Sequence, residues 1–396
     1  MFDVTTYGAV GDGANDDRPA IQDAIDAAEV SGGVVYFPKG IYLLDSSTVS
    51  GLCLTVEAND VFLRGDGRGV SVLKVGDGQN AACVNFQYMT GGGISGLEID
   101  GNRANQAGGH GVRSGGGLVG WLCRDMYIHD TFSYGIGLQF NTPAGDSSYT
   151  DCVLEDIVIE NTGLDGIDVK NHDNTNSNNK MSNVTVRRAG LRTDVAGQAC
   201  VDIRGPWELN NISCFDFSDG ETTNCQSGIR FRPGETSDSS GVGGHYSSLT
   251  NFHVEAGSTT TETVGLHIQS YNVTVSSGVV RNTKTGVGVD QREVTIGNVY
   301  VDGCVNGYMI EDGESLTNGD RVCLIGCIAR GATDSGFRIY TDHCNLIGIQ
   351  ARSCVTGVNL RSGSVMTVIG GVASSNTNNF VKQSAGITWK DAGFVY

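Results

Sequence analysis

One short phrase recurs through this chain and limits what it can fold into. It reads small residue, apolar, variable, apolar, variable. It appears as GIGLQ (135–139), GIDVK (166–170), CVDIR (200–204), GIRFR (228–232), GLHIQ (265–269), GVGVD (286–290), GYMIE (307–311), GFRIY (336–340) and GVNLR (357–361). The starts are 31, 34, 28, 37, 21, 21, 29 and 21 residues apart. Apolar residues two apart have the period of a strand with one buried face. A repeat of 20–40 residues is the mark of a solenoid. Leucine-rich and helical repeat signatures are absent, so the repeating unit is built from strands. The shortest spacing suits one turn of a three-strand coil, and longer spacings carry a loop. Stacked coils of parallel strands wind right-handed. The predicted fold is all-β, a right-handed parallel β-helix.

The remaining composition agrees. Gly is frequent at 58 of 396 residues and Pro scarce at 5, as expected of many tight turns between short strands. One helix is predicted, from Asp17 to about Glu29, with Pro19 in its first turn and Ile21, Ile25 and Ala28 on one stripe. It is expected to cap one open end of the coil and cover its strand edges. The chain is read as one β-helix domain: 1–45 as the cap and first rungs, 46–375 as rungs, 376–396 as a C-terminal cap. Twelve Cys lie between 53 and 354 with no CxxC pair, and are expected to be buried small residues of the stack, with disulfides the lesser option. The net charge of −18 argues against a nucleic-acid binder. No apolar run approaches the roughly 20 residues that cross a bilayer, and the start does not read as a signal peptide.

The opening FDVTTYGAVGDGANDDRPAIQDAIDAAEVSGGVVYFPKGIY resembles the first rungs of the pectate-lyase/glycoside-hydrolase β-helix superfamily. That group includes polygalacturonases, alginate epimerase modules and phage tailspike depolymerases. IDGNRANQ (99–106) is similar to its members as well. The resemblance implies a polysaccharide ligand, usually with cleavage. It also implies an extracellular or virion-associated setting, and a monomer or homotrimer. It implies no nucleic-acid or membrane partner and does not fix the reaction.

In a stacked coil the variable slots become two vertical columns. The first holds Gly137, Asp168, Asp202, Arg230 and His267. The second holds Gln139, Lys170, Arg204, Arg232 and Gln269. Both are expected to face outward, about 4.8 Å apart from rung to rung. Asp168 and Asp202 then form a close carboxylate pair whose members resist ionising together. Such a pair suits glycoside hydrolysis, with about 5 Å between carboxyls for retention and roughly 6.5–9.5 Å for inversion. Hydrolysis is the first expectation, with Asp168, Asp202, Lys170 and Arg204 catalytic. Arg230, Arg232, His267, Gln269, Tyr134 and Glu235 are expected to bind substrate, with Trp207 offering a stacking face. An ion-paired, solvated sheet face is the competing reading.

The alternative chemistry is elimination or C5 epimerisation of a uronate. It needs a cation on the sugar carboxylate and a base near the C5 proton. A non-catalytic glycan-binding or tailspike structural protein is the third reading. No cofactor is required, and the Asp pair is a possible Ca²⁺ site. Alginate epimerases carry Tyr-Gly-Phe-Asp-Pro-His. Here Tyr134-Gly135-Ile136-Gly137-Leu138-Gln139 keeps the Tyr but has Gly137 and Gln139 in the acid and imidazole positions. The GHG of GGHGVR (108–113) precedes the candidate acids, and His110 is read as a turn residue. The N-x-[ST] triplets at Asn183, Asn211 and Asn272 are read as compositional.

Overall fold

The computed structural model describes residues 1–45, 51–138, 149–170, 178–217, 225–232, 246–258, 262–311, 321–341, 344–361, 365–382 and 388–395. They form a right-handed parallel β-helix. Every strand pair is parallel, and strands from successive coils stack into a 19-stranded sheet, a 13-stranded sheet and a small 3-stranded one. The repeated phrases all fall in the 13-stranded sheet, called the site sheet below. Near the C-terminal end, Asn378–Lys382 joins the site sheet and Thr388–Val395 the large sheet. No described helix is long and apolar enough to cross a membrane.

The core follows from alternation. Ile167, Val169, Val201, Ile203, Ile229, Phe231, Leu266 and Ile268 all point inward and are buried. The large sheet supplies the facing layer through residues such as Ile157, Val184, Ile212 and Val254. All twelve Cys are free thiols, and all but Cys323 are buried. Cys304, Cys327 and Cys354 sit at coil corners, where their thiols lie 3.3–3.8 Å from backbone carbonyls or a Thr hydroxyl. Burial raises Cys53 and Cys152 to about 12, which keeps them as thiols.

Strands of the large sheet carry a left-handed residue at one shared position in successive coils: Gly96, Asp125, Asp156, Asn183, Asn211, Asn251, Ser277 and Asn298. Asn and Asp tolerate that conformation because their side chains bond locally. Here the bonds run between coils. Asn183 Nδ2 donates to Asp156 Oδ1 at 2.9 Å, and Asn211 Nδ2 to Asn183 Oδ1 at 2.8 Å. Two of the three N-x-[ST] triplets are therefore corner residues of a side-chain ladder, and Asn272 has the same backbone conformation.

Helix α1 (Arg18–Glu29) closes the N-terminal end. Ile21, Ala24, Ile25 and Ala28 are buried against the first coil. Its polar residues serve the backbone of the outermost site-sheet strand, Leu52–Val56, and of Glu57 just beyond. Gln22 receives the Thr55 N–H at 3.0 Å and donates to the Thr55 carbonyl at 2.9 Å. Arg18 Nε donates to the Cys53 carbonyl, and Glu29 accepts from the Glu57 N–H. Side chains thus replace the missing neighbour strand and leave no open edge to pair with another chain. Asp17 is buried and receives the N–H groups of Val10 and Gly11, which fixes the turn before the helix.

Candidate functional site

Strand register produces the expected column without interruption. Gly137 pairs with Asp168, Asp168 with Asp202, Asp202 with Arg230, and Arg230 with His267. Beside it, Lys170 pairs with Arg204 and Arg204 with Arg232. Asp168 and Arg230, 62 positions apart in the chain, lie two rungs apart by this stacking alone.

Their environment differs from expectation. The slots were predicted open, yet Asp202 is fully buried, Asp168 is 2% exposed, and Arg204 and Arg230 are each 7% exposed. Asp202 is the hub of the cluster. Arg230 donates to its Oδ1 at 3.3 Å and to its Oδ2 at 2.8 Å. Arg232 donates to Oδ1 at 3.0 Å and also contacts Oδ2 through Nη2. Burial alone would raise the Asp202 pKa, but hydrogen bonds from Arg232 and the charge of Arg230 prevail and hold it below the usual carboxylate range. A carboxylate with both oxygens clamped by two guanidiniums is poorly placed to be a nucleophile or a base. Asp202 is a structural anchor for two arginines.

Asp168 is pushed the other way, first by burial and then by the charge of Asp202, against the pull of Lys170 and Arg204. Its Oδ2 lies 3.9 Å from Lys170 Nζ. Asp165, which the sequence reading did not select, joins the group. It is buried, accepts from the Ala199 N–H, and is raised well above the ordinary range by burial and by Asp168. Four cations therefore surround three carboxylates, two of which resist ionising. Asp165, Asp168 and Asp202 bring carboxylate oxygens within 4.8 Å of one another, three of the six to eight oxygens that Ca²⁺ takes. Asp202 has both of its oxygens engaged, and the surrounding charge is positive. A second acidic group, Asp100, His129 and Asp130, lies on the large sheet. There both imidazole nitrogens already face carboxylates, Asp130 at 2.8 Å and Glu98 at 3.2 Å.

Several expected binding residues fall elsewhere. Trp207 starts a strand of the large sheet and is 1% exposed, so it packs in the core and offers no face to a sugar. His267 Nε2 meets Asp290 Oδ2 at 2.7 Å, and Gln269 donates to the same oxygen at 3.2 Å. Burial would raise Asp290, but the His267 hydrogen bond leaves it lowered. Glu235 and Gln139 lie outside the described residues, as do most of 171–180 and 233–248.

The column also continues upward, where the sequence reading stopped. Gly137 pairs with Arg113, Arg113 with Asn85, and Asn85 with Thr55. Arg113 is half-buried, and among the described residues it makes no ion pair or hydrogen bond. Below it, Gly137 has no side chain. A Cβ there would meet the Tyr134 ring at 3.4 Å and His110 Nδ1 at 3.6 Å. The two rings stack with centroids 5.1 Å apart and planes 6° from parallel. His110 Nδ1 faces the Tyr134 N–H at 3.4 Å, making it the acceptor nitrogen. Burial lowers the His110 pKa to about 4, and the Arg113 charge acts in the same direction, so the imidazole is neutral near pH 7. Arg113 above and Asp168 below thus frame a gap in the column of side chains at the buried Gly137, against which the His110 and Tyr134 rings pack, with backbones about 10 Å apart. His110 is therefore more than a turn residue, since it packs on Tyr134 beside the column. The signal for it was GVRS (111–114), the same phrase with Ser in place of its second apolar residue.

A polar and cationic column, largely buried, runs along one sheet of the stacked coils and marks the candidate site of this carbohydrate-active β-helix protein. Residues 1–200 match the family described as Rhamnogalacturonase A/epimerase, pectate lyase-like, and the chain belongs to that family. Over 115 residues it is 41% identical to mannuronan C5-epimerase AlgE1 of Azotobacter vinelandii, a match that takes in 27% of this chain and 8% of the epimerase. It is 37% identical over 114 residues to alginate lyase 7 of the same organism, covering 27% of this chain and 13% of the lyase. The matched stretches are thus a small part of these relatives. The solved A-module of mannuronan C5-epimerase AlgE6 from A. vinelandii covers 100% of this chain and 99% of the module, with a TM-score of 0.55 at 18% identity, a likeness of fold.

Proposed function

We propose that the gap at Gly137 is the reaction centre and that the protein cleaves a uronate polysaccharide of the mannuronan type by β-elimination. The observation that supports this most is Arg113. It is a cation without a described partner, in register over a position with no side chain, beside a neutral imidazole stacked on a tyrosine. A guanidinium is matched to a sugar carboxylate, and pairing with it makes the adjacent C5 proton more acidic. His110 takes that proton on Nδ1, giving up the hydrogen bond which that nitrogen otherwise accepts from the Tyr134 N–H. The electron pair forms the C4=C5 double bond as the C4–O4 bond breaks, and Tyr134 protonates the departing oxygen. The proton held by His110 returns to Tyr134 after product leaves. Asp168 borders the site from the rung below. Lys170 adds a second positive charge.

Elimination is preferred to hydrolysis because Asp202 is clamped. It is preferred to epimerisation because Gly137 supplies no second acid on the opposite side of the ring. The names of the matched relatives, a mannuronan epimerase and an alginate lyase, agree with a uronan substrate.

The test is incubation with polymannuronate, following ultraviolet absorbance of the unsaturated sugar together with reducing ends. Both should rise in step. Reducing ends without absorbance would mean hydrolysis, and C5 inversion without chain cleavage would mean epimerisation. Either result would refute this reading.

A further inference from the structure

The large sheet carries a charged column of its own, and its last six rungs read Glu255, Arg281, Asp302, Arg330, Arg352 and Ser374. Opposite charges facing each other across strands support a sheet, and like charges weaken it. The column keeps to this rule as far as Arg330. Nearer the N-terminal end, Lys74 meets Asp100 at 3.8 Å and Arg187 meets Glu160 at 3.7 Å. At Arg330 the alternation breaks, because the residue directly opposite is Arg352. Arg330 is matched, since it bonds the Tyr300 phenol and feels the charge of Asp302. Arg352 is the surplus cation. It is exposed, and among the described residues its side chain makes no ion pair or hydrogen bond.

The two arginines stand in a cleft of about 380 Å³. No acidic residue lines it among the described residues, although the chain has a net charge of −18. Ser353, Ser374 and Ser375 line the cleft beside Arg352, and their hydroxyls have no described partner. We propose that this cleft is an anion site that takes a tetrahedral oxyanion, the phosphoryl or sulfuryl group of an ester or the free ion, between Arg330 and Arg352. The site belongs to the large sheet and does not depend on the uronan reading of the site sheet. A carboxylate has two oxygens in one plane, which a single guanidinium fork satisfies. Here two forks stand on successive rungs, about 4.8 Å apart at the backbone, with hydroxyls beside them. That arrangement suits the three or four oxygens of a phosphate or sulfate, held from more than one side. An anion bridging the two guanidiniums also offsets the like-charge contact that the register imposes.

The site is tested by binding, separately from turnover. The full wild-type chain is titrated calorimetrically with inorganic phosphate, inorganic sulfate and acetate at pH 7 and constant ionic strength. Phosphate and sulfate should each bind once per chain, with acetate about tenfold weaker or worse. Arg352→Gln should weaken phosphate by about tenfold or more, the loss of charge-assisted hydrogen bonds. Its unfolding midpoint and its turnover of polymannuronate should match wild type, and Arg113→Ala should bind phosphate as wild type does. Sulfated and unsulfated dextran then separate the two sources. Sulfated dextran that binds wild type but not Arg352→Gln supports an ester on a polymer. Inorganic ions that bind while sulfated dextran does not support a free ion. No phosphate binding, equal phosphate affinity in wild type and Arg352→Gln, or acetate as tight as phosphate would overturn the proposal.

Discussion

Replacing Asp202 by Asn separates an anchoring role from a catalytic one. Asp202 is fully buried and accepts from both Arg230 and Arg232. Removing its charge leaves Arg230, at 8% side-chain exposure, inside the protein without an ionised partner. Breaking a buried pair in this way costs about 3–5 kcal/mol, because the remaining charge is desolvated and uncompensated. The main effect should therefore be on folding stability. Urea unfolding at pH 7 should show this loss. The pH dependence adds a second check. Asp202 has a depressed folded pKa, so its stabilisation is present above its unfolded value near 4 and is lost as pH falls through the lower folded value. Wild type and Asp202→Asn should converge in stability in strong acid. A variant as stable as wild type at pH 7, but without turnover, would refute the anchoring argument and restore Asp202 to the chemistry.

Other expectations follow from the same geometry. Asp165 is raised well above its unfolded value, so its contribution is intact below about pH 4 and is lost as pH rises through the folded pKa. Asp165→Asn should therefore gain stability relative to wild type between pH 4 and pH 8, and urea unfolding at an unchanged difference would contradict this. Arg113→Ala should lower kcat/KM on polymannuronate by about 10²–10³ with the unfolding midpoint unchanged, the effect of deleting a charge that stabilises a developing oxyanion. Trp207→Ala should cost about 3–5 kcal/mol of stability as a core truncation while leaving glycan affinity as it was.

The sequence made the stacking legible because alternation and spacing are local signals. GIDVK, CVDIR and GIRFR carry the same phase, and the backbone ladder preserves it rung by rung. Three rungs escaped notice. LCLTV, ACVNF and GVRS depart from the phrase, the last by a Ser in a core-facing slot, and Arg113 was lost with them. Burial of the Asp202 cluster was not legible either. Alternation states which way a side chain points, but what covers it depends on neighbouring side chains and loops. Trp207 shows the same limit, since three residues beyond Arg204 the chain has already turned into the large sheet. The role of α1 was readable in outline from its apolar stripe. The hydrogen bonds of Gln22 and Arg18 to a strand 30 or more residues away were not, because they depend on which strand lies outermost.

The central claim is that a uronate carboxylate is held by Arg113 above Gly137, against His110 and Tyr134. A structure of the Tyr134→Phe chain with a bound mannuronate tetrasaccharide tests it most directly. The account predicts one carboxylate paired with Arg113, with its sugar ring against His110 and Tyr134. A sugar chain bound elsewhere, with Arg113 making no contact to it, would contradict the account.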